Sequence, residues 1–138
     1  MKTYPLLRIV SLSLAPVLAS MLLTGCGKLS DEAKEIVGIY YNPEISQTEP
    51  VMELHKNATC LIRAIKPGVL TYSVEGKWNV ENDSLLLTLD PATLKHDGDS
   101  TLIGNIPNHV ARKVAGHNDF SLQLENDGVT YLYQRRAE

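Results

Sequence analysis

Leu70-Thr71-Tyr72-Ser73-Val74-Glu75-Gly76-Lys77-Trp78-Asn79-Val80 decides the fold. Every even position carries an apolar residue, an aromatic residue or glycine, and every odd position is polar, over eleven residues. A helix would scatter these two classes around its axis, whereas a strand sends them to opposite faces, so the run reads as a half-buried strand or a tight pair of strands. Gly76 in its middle marks either a bend of the kind used at barrel corners or the turn of a hairpin.

The same period of two recurs downstream. Phe120, Leu122 and Leu124 alternate with Ser121, Gln123 and Glu125, and Val129, Tyr131 and Tyr133 form a second series after Asn126-Asp127-Gly128. Asp-Gly tolerates the positive φ that a tight hairpin turn demands, so these two strands pair antiparallel. Lys56-Asn57 punctuates residues 51–55 and 59–65 in the same way, and Asn82-Asp83 separates the long alternating run from residues 85–89. Residues 36–41 and 109–115 bring the expected count to about eight short strands, with no long helical pattern between them. The predicted class is all-β. Eight strands in a meander expose costly edges unless the sheet closes, so a small antiparallel up-and-down barrel of about eight strands is expected. The pairs Gly38-x-Tyr40 and Gly76-x-Trp78 within this meander resemble the small lipocalin-like β-barrel domains of bacterial lipoproteins over roughly residues 36–136, although the Gly-x-Trp of true lipocalins sits on the first strand.

Ahead of the strands the chain has a different character. Lys2 and Arg8 precede an apolar run from Ile9 to Leu23, and no acidic residue occurs before Asp31. That run has the length of a signal-peptide core and falls short of the roughly 20 residues a spanning helix needs. It ends in Leu23-Thr24-Gly25-Cys26, which resembles the lipobox of bacterial lipoproteins. The resemblance implies a cleaved signal peptide at residues 1–25 and lipidation at Cys26, whose thiol accepts the diacylglyceryl group. More than one acyl chain gives durable anchoring where a single chain holds only marginally. Gly27 stands where many inner-membrane lipoproteins of enteric bacteria have Asp, which implies delivery to the outer membrane, facing the periplasm. In a single-membrane host the same signal would leave the protein on the outer surface of the cell membrane. Residues 26–35 then form the lipidated cysteine and a polar tether, with Ser30 placed to cap a single helical turn, and residues 36–138 form the barrel domain.

Without residues 1–25 the chain has 113 residues, enough for one domain to bury a core without metal or disulfide staples. It loses two of 13 basic residues and no acidic one, leaving 11 against 16 and a formal charge of −5. A nucleic-acid partner is not expected, because phosphate neutralisation needs a basic surface. With Cys26 acylated, Cys60 has no intramolecular partner and reads as a small buried hydrophobe in a strand.

Candidate sites are few. The histidines at 55, 96, 109 and 117 show no ligand spacing, and no G-x-S-x-G elbow is present. The Cys-x-x-Cys motif of copper-stress lipoproteins and the Ser-Gly pair of lysozyme-inhibiting lipoproteins are also missing. His96-Asp97-Gly98-Asp99 could contribute to a metal or catalytic site, but Asp and Gly also favour solvated turns. Tyr40, Tyr41, Tyr72 and Trp78 could line a pocket at a barrel mouth or simply fill the core; Tyr40 and Tyr41, being adjacent, must point to opposite faces. The expectation is a non-enzymatic, membrane-anchored protein without cofactor or metal, binding a protein partner or a small apolar ligand close to the membrane. The alternative is an enzyme or metal-handling protein using His96, Asp97 and Asp99. Recognition is expected at the rim, in the long connections 42–50 and 91–108.

Overall fold

The computed structural model describes residues 28–136; the segment 1–25 and Cys26 lie outside the described residues. Eight strands follow one another: β1 Gly38–Tyr41, β2 Met52–Leu54, β3 Thr59–Lys66, β4 Leu70–Glu81, β5 Ser84–Gly98, β6 His109–His117, β7 Ser121–Asn126 and β8 Val129–Arg136. Each pairs antiparallel with the next, and β1 returns to β8, so the sheet closes into an up-and-down barrel. Closure leaves no full-length edge of the kind that templates aggregation.

Turn chemistry sets the registers. Asn82 and Asp83 both take positive φ, 51° and 61°, as do Asp127 and Gly128 at 51° and 79°. Two consecutive left-handed residues give the turn whose twist matches a two-residue hairpin. Across them Glu81 faces Ser84 and Asn126 faces Val129.

The alternating run forms one continuous strand, β4. Leu70, Val74, Trp78 and Val80 are buried on its inner face. Gly76 is the bend and not a hairpin turn: a Cβ there would lie 2.2 Å from the Thr88 carbonyl oxygen, so β5 crosses at a distance that only glycine permits.

β5 extends further than the sequence suggests. Residues 91–98, expected within a long loop, belong to the strand, and the true connection to β6 is residues 99–108. The reason is a bulge: Asp90 faces Glu75 and Lys95 faces Ser73, leaving residues 91–94 opposite Val74 alone. The Thr93 hydroxyl donates to the Asp90 carbonyl at 2.6 Å and accepts from the Glu75 N–H at 2.8 Å, replacing the ladder bond that the bulge removes. Pro91 is tolerated there because a bulge asks nothing of its missing N–H.

The interior is filled. Tyr40, Leu54, Leu85 and Leu122 have no exposed surface, and Met52, Cys60, Val74, Trp78, Val80, Leu87, Leu89 and Leu124 pack with them. A single turn of helix, α1 (Asp31–Lys34), stoppers one end of the barrel. Ser30 caps it as expected, accepting from the Ala33 N–H at 3.1 Å while its hydroxyl donates to the Val80 carbonyl at 2.7 Å. Ala33 and Ile36 are buried in the barrel core. Residues 30–36 are therefore docked on the domain, and any span free of it is shorter than the ten-residue tether expected from the sequence.

Candidate recognition groove

Strand lengths around the closure are unequal. β8 has eight residues and β3 eight, but the two strands between them, β1 and β2, have four and three. Pairing between β1 and β8 covers Ile39 with Arg136, Tyr40 with Arg135 and Tyr41 with Gln134, and goes no further. From Val129 to Tyr133, β8 has β7 on one side and, among the described residues, no strand on the other.

The direction of its unpaired groups follows from the ladder. Arg135 N–H donates to the Phe120 carbonyl at 2.8 Å, so Arg135 turns its main chain toward β7. Alternate residues Tyr133, Tyr131 and Val129 do the same, and Gln134, Leu132 and Thr130 turn theirs the other way. Tyr41 lies opposite Gln134, whereas Thr130 and Leu132 present N–H and C=O groups to the gap.

That gap is a groove of about 550 Å³, walled by residues 42–44 on one side and 130–134 on the other, with Phe120 and Ser121 at its far rim. Its apolar surface is open to water: Phe120 is 77% exposed, Leu132 61% and Tyr131 46%. No residue from 129 to 134 is charged. Edge strands normally carry lysine, proline or a bulge to discourage pairing, and this stretch has none of these.

The wall formed by the β1–β2 connection is built, not loose. The Asn42 carbonyl accepts from Ile45 N–H at 2.9 Å and Ser46 N–H at 3.0 Å, and the Ser46 hydroxyl oxygen accepts from Glu49 N–H at 3.0 Å. Arg136 pins it to β8 twice over: its guanidinium carbon lies 3.8 Å from the centre of the Tyr41 ring and its Nη1 donates to the Gln47 carbonyl at 3.2 Å.

The four aromatic candidates do not share a pocket. Tyr40 is wholly buried and its hydroxyl donates to the Ile36 carbonyl at 2.7 Å; burial pushes its pKa up to about 12, against a small opposing pull from Arg135. Trp78 is buried, with its indole N–H donating to the His55 carbonyl at 3.0 Å. Tyr72 is half-buried on β4 opposite Ala64 and His96, and Tyr41 points outward over Arg136. Nor are His96, Asp97 and Asp99 gathered. His96 and Asp97 are neighbours on β5 and so point to opposite faces. Asp99 accepts from the Thr101 N–H at 3.0 Å and its hydroxyl at 2.5 Å, bonds that hold its carboxyl below the usual carboxylate range. Among the described residues no three His, Cys, Asp or Glu side chains come together as a metal cage.

The groove's own residues were only partly visible beforehand. Residues 42–44 fall within the connection 42–50 expected to carry recognition. Phe120, which its alternation with Leu122 and Leu124 would turn into the barrel, is 77% exposed instead. Phe120 sits in a turn in which the Asn118 side-chain oxygen accepts from the Phe120 and Ser121 N–H groups, ahead of β7 and not within its alternation. Tyr131 faces inward, but on the stretch of β8 that β1 leaves uncovered.

No family model matches the chain, and no curated protein matches it. Among solved structures it is similar to the crystal structure of an uncharacterized protein from Bacteroides eggerthii, at 16% identity over 72% of this chain and 94% of that one, with a TM-score of 0.45.

Proposed function

We propose that the chain is a lipid-anchored envelope protein that recognises a protein partner by taking an extended segment of it alongside β8. The observation that carries this reading is the unpaired main chain of Thr130 and Leu132 in a groove with exposed apolar side chains. An extended peptide that pairs there gains main-chain hydrogen bonds, and alternate side chains meet Leu132 on one face and Tyr131 on the other. The short β1 and β2 leave room for one more strand, and residues 42–44 give it a second wall. The anchor in this reading is Cys26, on the lipobox motif Leu23-Thr24-Gly25-Cys26.

Carriage of a small apolar ligand inside the barrel is the weaker reading, because Tyr40, Leu54, Trp78, Leu85 and Leu122 occupy the interior. The two are separated by a photoreactive side chain placed at Leu132 and, as a control on another face, at Lys95, in intact envelopes. The expected result is one predominant protein adduct from position 132 and none from position 95. A one-to-one apolar molecule retained through gentle extraction, with no adduct at position 132, would reverse the preference.

A further inference from the structure

The stoppered end of the barrel has a sidedness of charge that the groove does not use. Seven lysines lie between residues 28 and 136, and three of them, Lys28, Lys34 and Lys56, line one hollow of about 530 Å³ together with Leu29 and Val37. They come from the chain entering the domain, from α1 and from the β2–β3 turn, so the fold and not local sequence collects them. The lysines are exposed, while Leu29 and Val37 between them are half-buried. On the other flank of α1, Glu32, Glu35 and Asp83 line a separate hollow with His117. Lys34 lies 3.9 Å from Asp31, an exposed pair too long and too wet to neutralise it.

We propose that the Lys28, Lys34 and Lys56 face is the seat of the domain on an anionic bilayer, with lipid phosphates against the three ammonium groups and Leu29 and Val37 toward the glycerol level. The placement rests on the lipid-anchor reading. From Cys26 to Lys28 is two residues, which span at most about 7 Å, so the lipidated residue fixes this end of the barrel against the headgroups. An overall acidic domain is repelled by such a surface unless it turns a basic face toward it. The acidic flank of α1 then tilts away, and the Lys66 end of β3 points outward. Each lysine near an anionic surface favours the seated state by roughly fivefold, so the three together favour it by on the order of a hundredfold.

The test does not depend on acylation in the cell. Among the described residues, 28–136, all eight strands of the closed barrel and the core packed inside it are present, so the chain from residue 26 onward is the unit used. Its Cys26 thiol is coupled to a maleimide lipid, in vesicles of phosphatidylcholine alone or with phosphatidylglycerol; Cys60 is buried and stays unreacted. Amines are then acetylated and the rate is read at each lysine. On phosphatidylglycerol vesicles Lys28, Lys34 and Lys56 are expected to react several-fold more slowly than on phosphatidylcholine, with Lys66 and Lys95 unchanged and the protection lost in high salt. With Lys28→Gln and Lys56→Gln together, Lys34 should react equally on both. Equal labelling of the three lysines on the two vesicles overturns the proposal. Equal protection by soluble glycerol phosphate overturns it in favour of a small-anion site. The anchor reading is judged separately, by the acyl mass of the Cys26 peptide from cells.

Discussion

Ser30 and Asn79, 49 residues apart in the chain, meet at the stoppered end of the barrel, where the Asn79 Oδ1 accepts a hydrogen bond from the Ser30 N–H at 2.9 Å. The Asn79 amide also donates to the Lys28 carbonyl at 3.0 Å. One side chain on the outer face of β4 thus holds the entry of the chain against the barrel. Asn79→Ala should cost about 1–2 kcal/mol, since it removes two such bonds and strands a partly buried donor. Urea unfolding measures the loss, and amide exchange should quicken first over residues 30–36; uniform quickening across all strands would argue against a local latch.

Trp78 packs at the centre of the interior, 3% exposed. Trp78→Ala should destabilise the protein by about 3–5 kcal/mol, the usual cost of truncating a large core aromatic. The native protein should emit well to the blue of free tryptophan in water, and a Trp78→Ala chain as stable as its parent would contradict a filled barrel.

Alkali should lower the stability of the protein over two overlapping ranges of pH. Burial raises the Cys60 thiol from 9.0 to about 11 and the Tyr40 hydroxyl from 10.0 to about 12. Below pH 9 both groups are protonated in the folded and unfolded chain, so neither contributes any pH dependence. Above it the unfolded chain releases protons that the folded chain still holds, and stability falls as pH rises through 9 to 11 for Cys60 and 10 to 12 for Tyr40. Cys60→Val should remove the earlier decline and leave the later one, as read from urea midpoints across that range.

The architecture was legible because its signals are local. Strict alternation over residues 70–80 and the Asp127-Gly128 turn each specify a strand or hairpin without help from the rest of the chain. Longer-range effects were not legible. Pro91 reads as a loop until the bulge opposite Val74 is known, and Phe120 reads as interior until the Asn118 turn is seen to lift it out. The groove is the hardest case, because it exists through a mismatch of lengths between β1 and β8, elements nearly 90 residues apart. Its one sequence trace, the absence of charge from residue 129 to 134, acquires meaning only once β8 has an open side.

On the lipobox reading, Cys26→Ala should abolish anchoring, because it removes the thiol that accepts the lipid. The variant is expected to lack the acyl mass and to be processed differently, leaving the membrane fraction in a carbonate wash once its apolar signal segment is removed. Continued fractionation with membranes and unaltered processing would contradict the lipobox reading.

Thr130 offers the most direct test of recognition along β8, because its N–H faces the groove and not β7. Proline there deletes the outward donor and leaves the β7–β8 ladder whole, a substitution that edge strands accommodate. The measurement is the yield of the protein adduct formed by a photoreactive side chain at Leu132 in intact envelopes, compared between Thr130→Pro and Thr130→Ala, with urea midpoints showing that both are folded. The account predicts that the adduct falls to background with Thr130→Pro and persists with Thr130→Ala. An undiminished adduct in a folded Thr130→Pro protein would mean that no strand pairs with β8.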